Sequence, residues 1–512
     1  MSEAVYKILV DWNGDGDFVD ANEDITADVM SLEMNRGRDY ASQLTGRSTA
    51  GSMTATLENS SGKYNSFNTS SAIFGSILPG RAVQVRTDGG QFPYTFPHFF
   101  GSTLWTGFLD KIEPQPSLHN AHRAILRATG PLAKISQKKI DVAMTTDILT
   151  SDAVDDVLDA AGWPAGDREI ATGLTTMKRW WANGKAITAL REIEQSENGF
   201  VWETNDGNIA YNDRQFRMTN AKSLTSQATY SDAGNTAYST IEQADPIREI
   251  FNIVDSGVQT FTVGSLAVLW TLSESGASSP LIEAGATRTW VGSYPNASSA
   301  VNAASVNAWT TLVENTDYEA NSAADGSAVD KSSVLTVTLT KYATSITIQI
   351  LNNDAAGVYL TKLQARGTPV IAADIARVVT EDATSKALYG ERVYPISGAF
   401  IPTTDEAEDY NNFVLAIYKD PTPVLKVTIS GNRDDAHMME VLTRDISDRV
   451  TVVATGNSGL GINEAFFVET IKHRVDSHMN HWTTFNLAPV GSFAGFWVVG
   501  YSVGGTDMML AY

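Results

Sequence analysis

Residues 186–214 constrain the fold more tightly than any other stretch, because helical periodicity gives way there to strand periodicity within a few residues. Ile187, Leu190 and Ile193 recur at helical spacing with Arg191, Glu192 and Glu194 on the other faces, and Gly199 follows as a stop. An amphipathic helix over Ala186 to Glu197 is expected. Phe200, Trp202 and Thr204 then alternate with Val201 and Glu203. Asn205-Asp206-Gly207-Asn208 supplies residues that tolerate positive φ, and Ile209-Ala210-Tyr211 starts a return strand. The segment predicts a helix running into a β-hairpin, with no pocket chemistry behind it.

The chain around it is large enough for several cores. At 512 residues, 43% hydrophobic and 19% charged, it suggests about three or four domains. Lys and Arg number 37 against 59 Asp and Glu, a net charge of −22, which disfavours a surface built to neutralise phosphates and hence specific nucleic-acid binding. The absence of Cys removes disulfides, thiolate zinc sites and cysteine nucleophiles. Met1-Ser2-Glu3-Ala4-Val5 lacks the basic and apolar regions of a secretory signal. The best candidate run, around Ala267 to Leu272, is far shorter than the roughly 20 residues of a membrane span. Soluble synthesis in a cytoplasm without a membrane anchor is expected.

Residues 1–131 read as β, with strands at Val5 to Val10, Met53 to Leu57, Arg81 to Arg86 and Leu104 to Ile112. Residues 132–220 change character. A helix is expected over Ser151 to Asp159, with Ser151 as cap, Val154, Val157 and Leu158 on one stripe, and an end near Gly162-Trp163-Pro164. With the helix-hairpin it makes a small α/β domain. Residues 258–366 carry only 13 charged side chains and are rich in Ser, Thr and Ala. Leu335, Val337 and Leu339 alternate with threonines, and Ile346, Ile348 and Ile350 alternate after them, predicting a β-sandwich. Because 250–254 and Pro369-Val370 look like scaffold strands, this sandwich is expected as an insertion. Val424 to Ile429, Arg449 to Ala454, Phe466 to His473 and Trp482 to Leu487 supply strands of a last β-domain over 422–512.

Three stretches resemble one family in order. "GSMTATLEN…FGSILPGRAVQVR…LWTGFLDKIEP", "GFVWETNDGNIAYNDR" and "RDISDRVTV…FFVETIKHRV…HWTTFNLAP" are similar to the first, second and closing domains of phage tail hub proteins. The resemblance implies a mainly β fold with a small α/β domain, tube-like β-barrel domains and an inserted immunoglobulin-like β-sandwich. Residues 1–131 would be the first tube-like domain, and 221–257 with 367–421 a second, discontinuous one interrupted by 258–366. It also implies a structural virion protein, made in the host cytoplasm, whose homotrimer closes the tail tube at its tip. Its partners would be the tail tube or distal tail protein, central tip or fibre proteins and the tape measure protein, with DNA passing through the lumen without specific binding.

The sharpest chemical motif is 11–20, where Asp11, Asn13 and Asp15 with Gly16 match positions 1, 3, 5 and 6 of a calcium loop. Asp17 and Asp20 add oxygens, so Asp11, Asn13, Asp15, Asp17 and Asp20 form a candidate Ca²⁺ site. Position 12 is Asn22, with Glu23 one place late, and a strand precedes the loop. A solvated Asx-Gly hairpin loop is the competing reading. His473, His478 and His481, and the pair His119 and His122, have spacings compatible with a metal but lack the second half of a zinc site. Trp180-Trp181 with Lys178, Arg179 and Lys185 can stack bases or sugars, although core or interface packing is the expected use. Asp405-Glu406 and Glu408-Asp409 are carboxylate pairs expected on a solvated or lumen-facing loop. No catalytic motif emerges, and neither catalytic nor nucleic-acid-binding residues are assigned. The alternatives to a hub are a receptor- or carbohydrate-binding tail module acting through the sandwich and a glycan or peptidoglycan hydrolase.

Overall fold

The computed structural model describes residues 4–38, 47–88, 102–117, 122–234, 236–244, 250–297, 299–396, 400–421 and 423–490, with 496–497 and 509–510. The protein is mainly β. Strands β1 (Val5–Val10), β2 (Val29–Arg38), β3 (Ser48–Glu58), β4 (Ala82–Asp88), β5 (Thr103–Gln115) and β6 (Arg123–Thr129) lie side by side in the order β1-β4-β5-β6-β3-β2. Every pair is antiparallel, so short connections suffice. In β3 the alternation works as expected: Met53, Ala55 and Leu57 are buried while Thr54 and Thr56 are half-buried on the other face.

A small α/β unit follows, built from α1 (Pro131–Ser136), β7 (Lys139–Leu149), α2 (Thr150–Ala160), β8 (Arg168–Ile170), β9 (Thr176–Lys185), α3 (Ala186–Glu197), β10 (Phe200–Glu203) and β11 (Ile209–Asn212). Helix α3 has the predicted bounds, but Asn198, at φ 55°, takes the left-handed terminating position expected of Gly199. Helix α2 starts one residue early with Leu149 at its N-cap, so Ser151 lies inside the first turn. The Thr150 hydroxyl instead donates to Glu197 Oε2 at 2.8 Å.

The hairpin differs more from its sequence pattern. Alternation predicts one solvated face, yet every residue of β10 and β11 is buried. Glu203 is the reason β10 can lie against the first sheet: its carboxylate accepts from the Gly51 amide at 2.7 Å and the Leu132 amide at 2.6 Å. The carboxylate enters because Gly51 and Gly130 lack a Cβ; one added at Gly130 would stand 2.1 Å from Glu203 Oε2, and one at Gly51 2.7 Å from it. Burial pushes the Glu203 carboxyl up to about 7.

Strands β12 (Ala228–Ser231), β13 (Thr240–Ala244) and β14 (Ile253–Val258) lead to the insertion. Nine strands form it: β15 (Phe261–Val263), β16 (Ala267–Thr271), β17 (Leu281–Ile282), β18 (Thr287–Ser293), β19 (Ala303–Trp309), β20 (Tyr318–Asn321), β21 (Leu335–Lys341), β22 (Ser345–Asn352) and β23 (Val358–Ala372). One sheet is organised on β23, which pairs with β15, β16, β17, β19 and β20; the other has the order β18-β22-β21. Ile346, Ile348 and Ile350 face Leu360, Leu363 and Ala365 in a shared core, so the predicted alternation is that of a two-sheet sandwich. Its boundary differs from Arg366: Pro369 and Val370 belong to β23, where they pair with β19, and do not return to the scaffold.

Strands β24 (Ala376–Glu381) and β25 (Val393–Ile396) flank β14 in a three-stranded sheet covered by the helix Thr404–Tyr418. The closing strands are β26 (Val424–Ser430), β27 (Arg449–Ala454), β28 (Ile462–Val475) and β29 (His481–Pro489). They do not stand apart as a separate C-terminal unit. β28 pairs with β2, β13 with β26 and β12 with β27, making one twelve-stranded sheet of two six-stranded halves. The expected second tube-like domain is therefore redistributed: β12 and β13 join the closing strands, while β14, β24 and β25 form the small helix-covered sheet.

The two halves meet at a bulge. β28 pairs with β27 through Ile462–Phe467 and with β2 through Thr470–Val475, and the register shifts between Val468 and Thr470. Glu469, at the bulge, is 5% exposed. Arg217 reaches it bidentately at 2.6 and 2.9 Å, donates to Ser447 Oγ at 3.1 Å, and lies over the Phe467 ring. Burial opposes ionisation of Glu469, but the charges and hydrogen bonds of Arg217 and Arg38 hold its carboxyl below the usual value.

Three outcomes follow from this packing. Glu469→Gln should lower the unfolding free energy in urea by about 3–5 kcal/mol, because Arg217 is left buried without its counter-charge; a loss under about 1 kcal/mol contradicts the role given to the pair. For Glu203 the folded pKa is raised from 4.5 to about 7, so its contribution is fully present below 4.5 and is lost as pH rises through about 7. Wild-type stability relative to Glu203→Gln should thus fall by about 3 kcal/mol across that window, and a difference that stays flat with pH rejects it. Finally, Val258 and Ala376 are directly paired, so a short Gly/Ser linker in place of residues 260–374 should leave the remainder folded by circular dichroism and cooperative melting. Gross aggregation would show that the sandwich belongs to the scaffold core.

Candidate functional site

The acidic loop leaves β1 and returns to it. The Val10 amide donates to Glu23 O at 2.9 Å, Ile25 to Ile8 O at 3.0 Å, and Asp11 to Ala82 O at 3.0 Å, so both ends of the loop are held on β1 and β4. Trp12, buried beneath it, donates from Nε1 to Asn22 O at 2.9 Å. Inside the loop Asp11 accepts from the Gly14 and Gly16 amides, and Asn13 Nδ2 donates to Asp15 Oδ2 at 2.9 Å and Asp20 Oδ2 at 2.6 Å. The amide of Val19 donates to Asp17 Oδ1 at 3.1 Å.

Carboxylate oxygens of Asp11, Asp15 and Glu23 lie within 4.8 Å of one another, as do those of Asp15, Asp17 and Asp20. Four of the five expected residues thus supply carboxylates to two overlapping groups that share Asp15, while Asn13 ties Asp15 to Asp20. Glu23, set aside by its position one place late, is the member that spacing missed. It is 1% exposed, accepts from the Asp20 amide through Oε2 at 3.0 Å, and leaves Oε1 without a hydrogen-bond partner. Burial foremost, with the charges of Asp11, Asp20 and Asp15, pushes its carboxyl up. Hydrogen bonds from the Asp17 amide and Asn13 hold the exposed Asp15 carboxyl down.

The other candidates resolve differently. His473 and His481 meet across β28 and β29, with Nδ1 to Nε2 at 3.0 Å, while His478 is exposed in the intervening turn and does not join them. The hydroxyls of Tyr6 and Thr483 complete a buried chain, at 2.6 Å from His481 Nδ1 and 2.9 Å from His473 Nδ1. Burial takes the His481 pKa down to about 3 and His473 well below its ordinary value, so both rings are neutral packing elements at pH 7. His122 Nδ1 accepts from the Ser117 amide, and His119 lies outside the described residues.

Trp180 is fully buried in the α/β core. Trp181 stands edge-on to Phe261 and Phe400, at 5.1 and 5.8 Å, where the α/β unit meets the sandwich. Arg179 donates to Asn307, and Lys178 pairs with Asp147, so these two cations are engaged by polar partners of their own. A cleft of about 550 Å³ opens at this junction, lined by Trp181, Phe261, Ile375, Ile396 and Phe400 with Asp255 and Arg377 beside them.

The run Asp405-Glu406 and Glu408-Asp409 was expected on a loop; it opens the helix Thr404–Tyr418, with the Thr403 hydroxyl accepting from the Glu406 amide. Ala407, Tyr410 and Val414 face the core and the carboxylates point outward, which explains the pairing as an amphipathic pattern. Thr403-x-x-Glu406 followed by apolar residues at helical spacing is the signal that identifies it. Among the described residues no helix is long and apolar enough to cross a membrane.

No family model matches the sequence, and no curated protein sequence matches it. Solved structures do. The 43 kDa tail protein of prophage MuSo2 from Shewanella oneidensis superposes with a TM-score of 0.50 at 11% identity, covering 96% of this chain and 99% of its own. The tail protein from Neisseria meningitidis MC58 gives a TM-score of 0.50 at 11% identity, covering 94% of this chain and 96% of its own. Extended over nearly the whole of each chain, this likeness shows that the chain shares the overall fold of these two tail proteins.

Proposed function

We propose that this chain is a structural virion protein of a phage tail, three copies of which close into a hub at the tail-tube tip and leave a conduit for genome ejection. The observation that carries this reading is the twelve-stranded sheet, in which each chain supplies two six-stranded wall segments joined edge to edge. Three copies then present six segments, which lets a three-fold tip meet a six-fold tube. The likeness in fold to the tail proteins of prophage MuSo2 and of Neisseria meningitidis supports the same reading. So does the distribution of apolar side chains: Phe67 is 89% exposed, and Phe74 and Leu78 are 47% exposed, all between β3 and β4, where a neighbouring copy would cover them.

The net charge of −22 gives a translocating polyanion no counterion-releasing grip. The role proposed is non-enzymatic. It places the tail tube or distal tail protein, the tape measure protein and central tip or fibre proteins as neighbours, with DNA passing without specific contacts. Native mass measurement of the purified chain should give three times 55.2 kDa, and DNA affinity should stay weak even at low salt. A persistent monomer that also fails to join tail-tip complexes rejects the hub; tight, steeply salt-dependent DNA binding rejects the acidic conduit.

A further inference from the structure

We propose that the loop following β1 is a calcium site completed by Glu23. The oxygens of Asp11, Asp15 and Glu23 sit within 4.8 Å of one another, the separation of ligands on opposite sides of a Ca²⁺ ion bound at about 2.4 Å. A cluster of exposed acids alone would say little. Glu23 adds the independent observation: at 1% exposure it holds one carboxylate oxygen on the Asp20 amide and leaves the other, Oε1, unpartnered. A buried carboxylate oxygen lacking a donor is uncompensated, and a hard cation is the partner that the surrounding oxygens are placed to share.

The charge balance agrees. Two overlapping groups, Asp11 with Asp15 and Glu23 and Asp15 with Asp17 and Asp20, share Asp15 and bring five carboxylates to one loop. The Arg81 guanidinium lies beside Gly14, offering one positive charge near the cluster. An all-oxygen set without His or Cys excludes the soft-ligand preferences of zinc and copper. A carboxylate-rich set favours Ca²⁺, which takes six to eight oxygens, over Mg²⁺, which demands near-ideal octahedral geometry. The ion would lock the loop onto β1, the end strand of the twelve-stranded sheet. This inference is independent of the hub reading.

Trp12 allows a direct test with the metal alone, because its buried ring lies within the same loop. After chelator treatment, terbium added to the full chain should give tryptophan-sensitised emission that calcium displaces and magnesium does not. Calcium at about 1 mM should also raise the melting temperature. Trp12→Phe should lose the emission and keep the calcium-dependent melting shift. Glu23→Gln and Asp15→Asn should each weaken calcium displacement at least about tenfold. Should Glu23→Gln fail to fold, Asp15→Asn carries the test, since Asp15 is exposed. Emission and melting curves that ignore calcium in the wild type, or that are unchanged in Asp15→Asn, overturn the site. Native mass of Asp15→Asn should equal that of the wild type, which keeps failure here distinct from failure of the hub.

Discussion

The bulge at Glu469 is the point on which the architecture depends. β28 is continuous over 14 residues, yet one of its edges changes partner there, from β27 to β2. That change joins strands near the two ends of the chain into one sheet. Closing so long a loop costs conformational entropy that grows only slowly with length, but the bulge must place a carboxylate in the interior. Arg217 makes this tolerable by supplying charge and geometry together, and the Phe200 and Phe467 rings flank its guanidinium. Without the pair, the bulge would leave a buried charge where the two halves must stay in register.

The α/β unit is fastened to this seam from two directions. Arg217 lies just after β11, and Glu203 at the end of β10 caps the amides of Gly51 and Leu132. Phe200 packs on the Glu469 cluster, with the Arg38 and Arg217 guanidinium groups 4.5 and 5.4 Å from its ring centre. The hairpin is therefore a wedge between sheet and helices, which explains why neither of its faces reaches solvent. The inserted sandwich is held more lightly. Asn307, Thr344 and Ser345 bond to the side chains of Arg179, Asn183 and Asp141, and Phe261 rests on Trp181. Polar contacts of this kind position a module without making the scaffold depend on it.

Local signals were legible in many elements, although the capping box that opens the helix Thr404–Tyr418 was missed. The bounds of α3, the strand Arg449–Ala454 and the buried isoleucines of β22 follow from periodicity alone. Non-local decisions were not legible. Glu203 reads as the outward residue of an amphipathic strand, and only the facing glycines of distant segments make it an interior cap. The redistribution of β12 and β13 to the closing strands depends on pairings across some two hundred residues, about which alternation says nothing. At the acidic loop the oxygen spacing was readable, whereas the burial of Glu23 arises from the β1 register that carries its backbone inward.

Under the proposed function, these constraints would serve a wall made of paired segments. If the seam fixes the two six-stranded halves of each chain as equivalent units, their positions in the proposed ring follow. A three-dimensional image of the purified ring, or of a tail tip containing it, by electron cryomicroscopy tests this most directly. The account predicts that both halves of every copy lie at one radius and alternate around the lumen as six similar wall segments, with the inserted sandwich outside them. A ring in which one half faces away from the axis, or in which the two halves separate at β2 and β28, would contradict it.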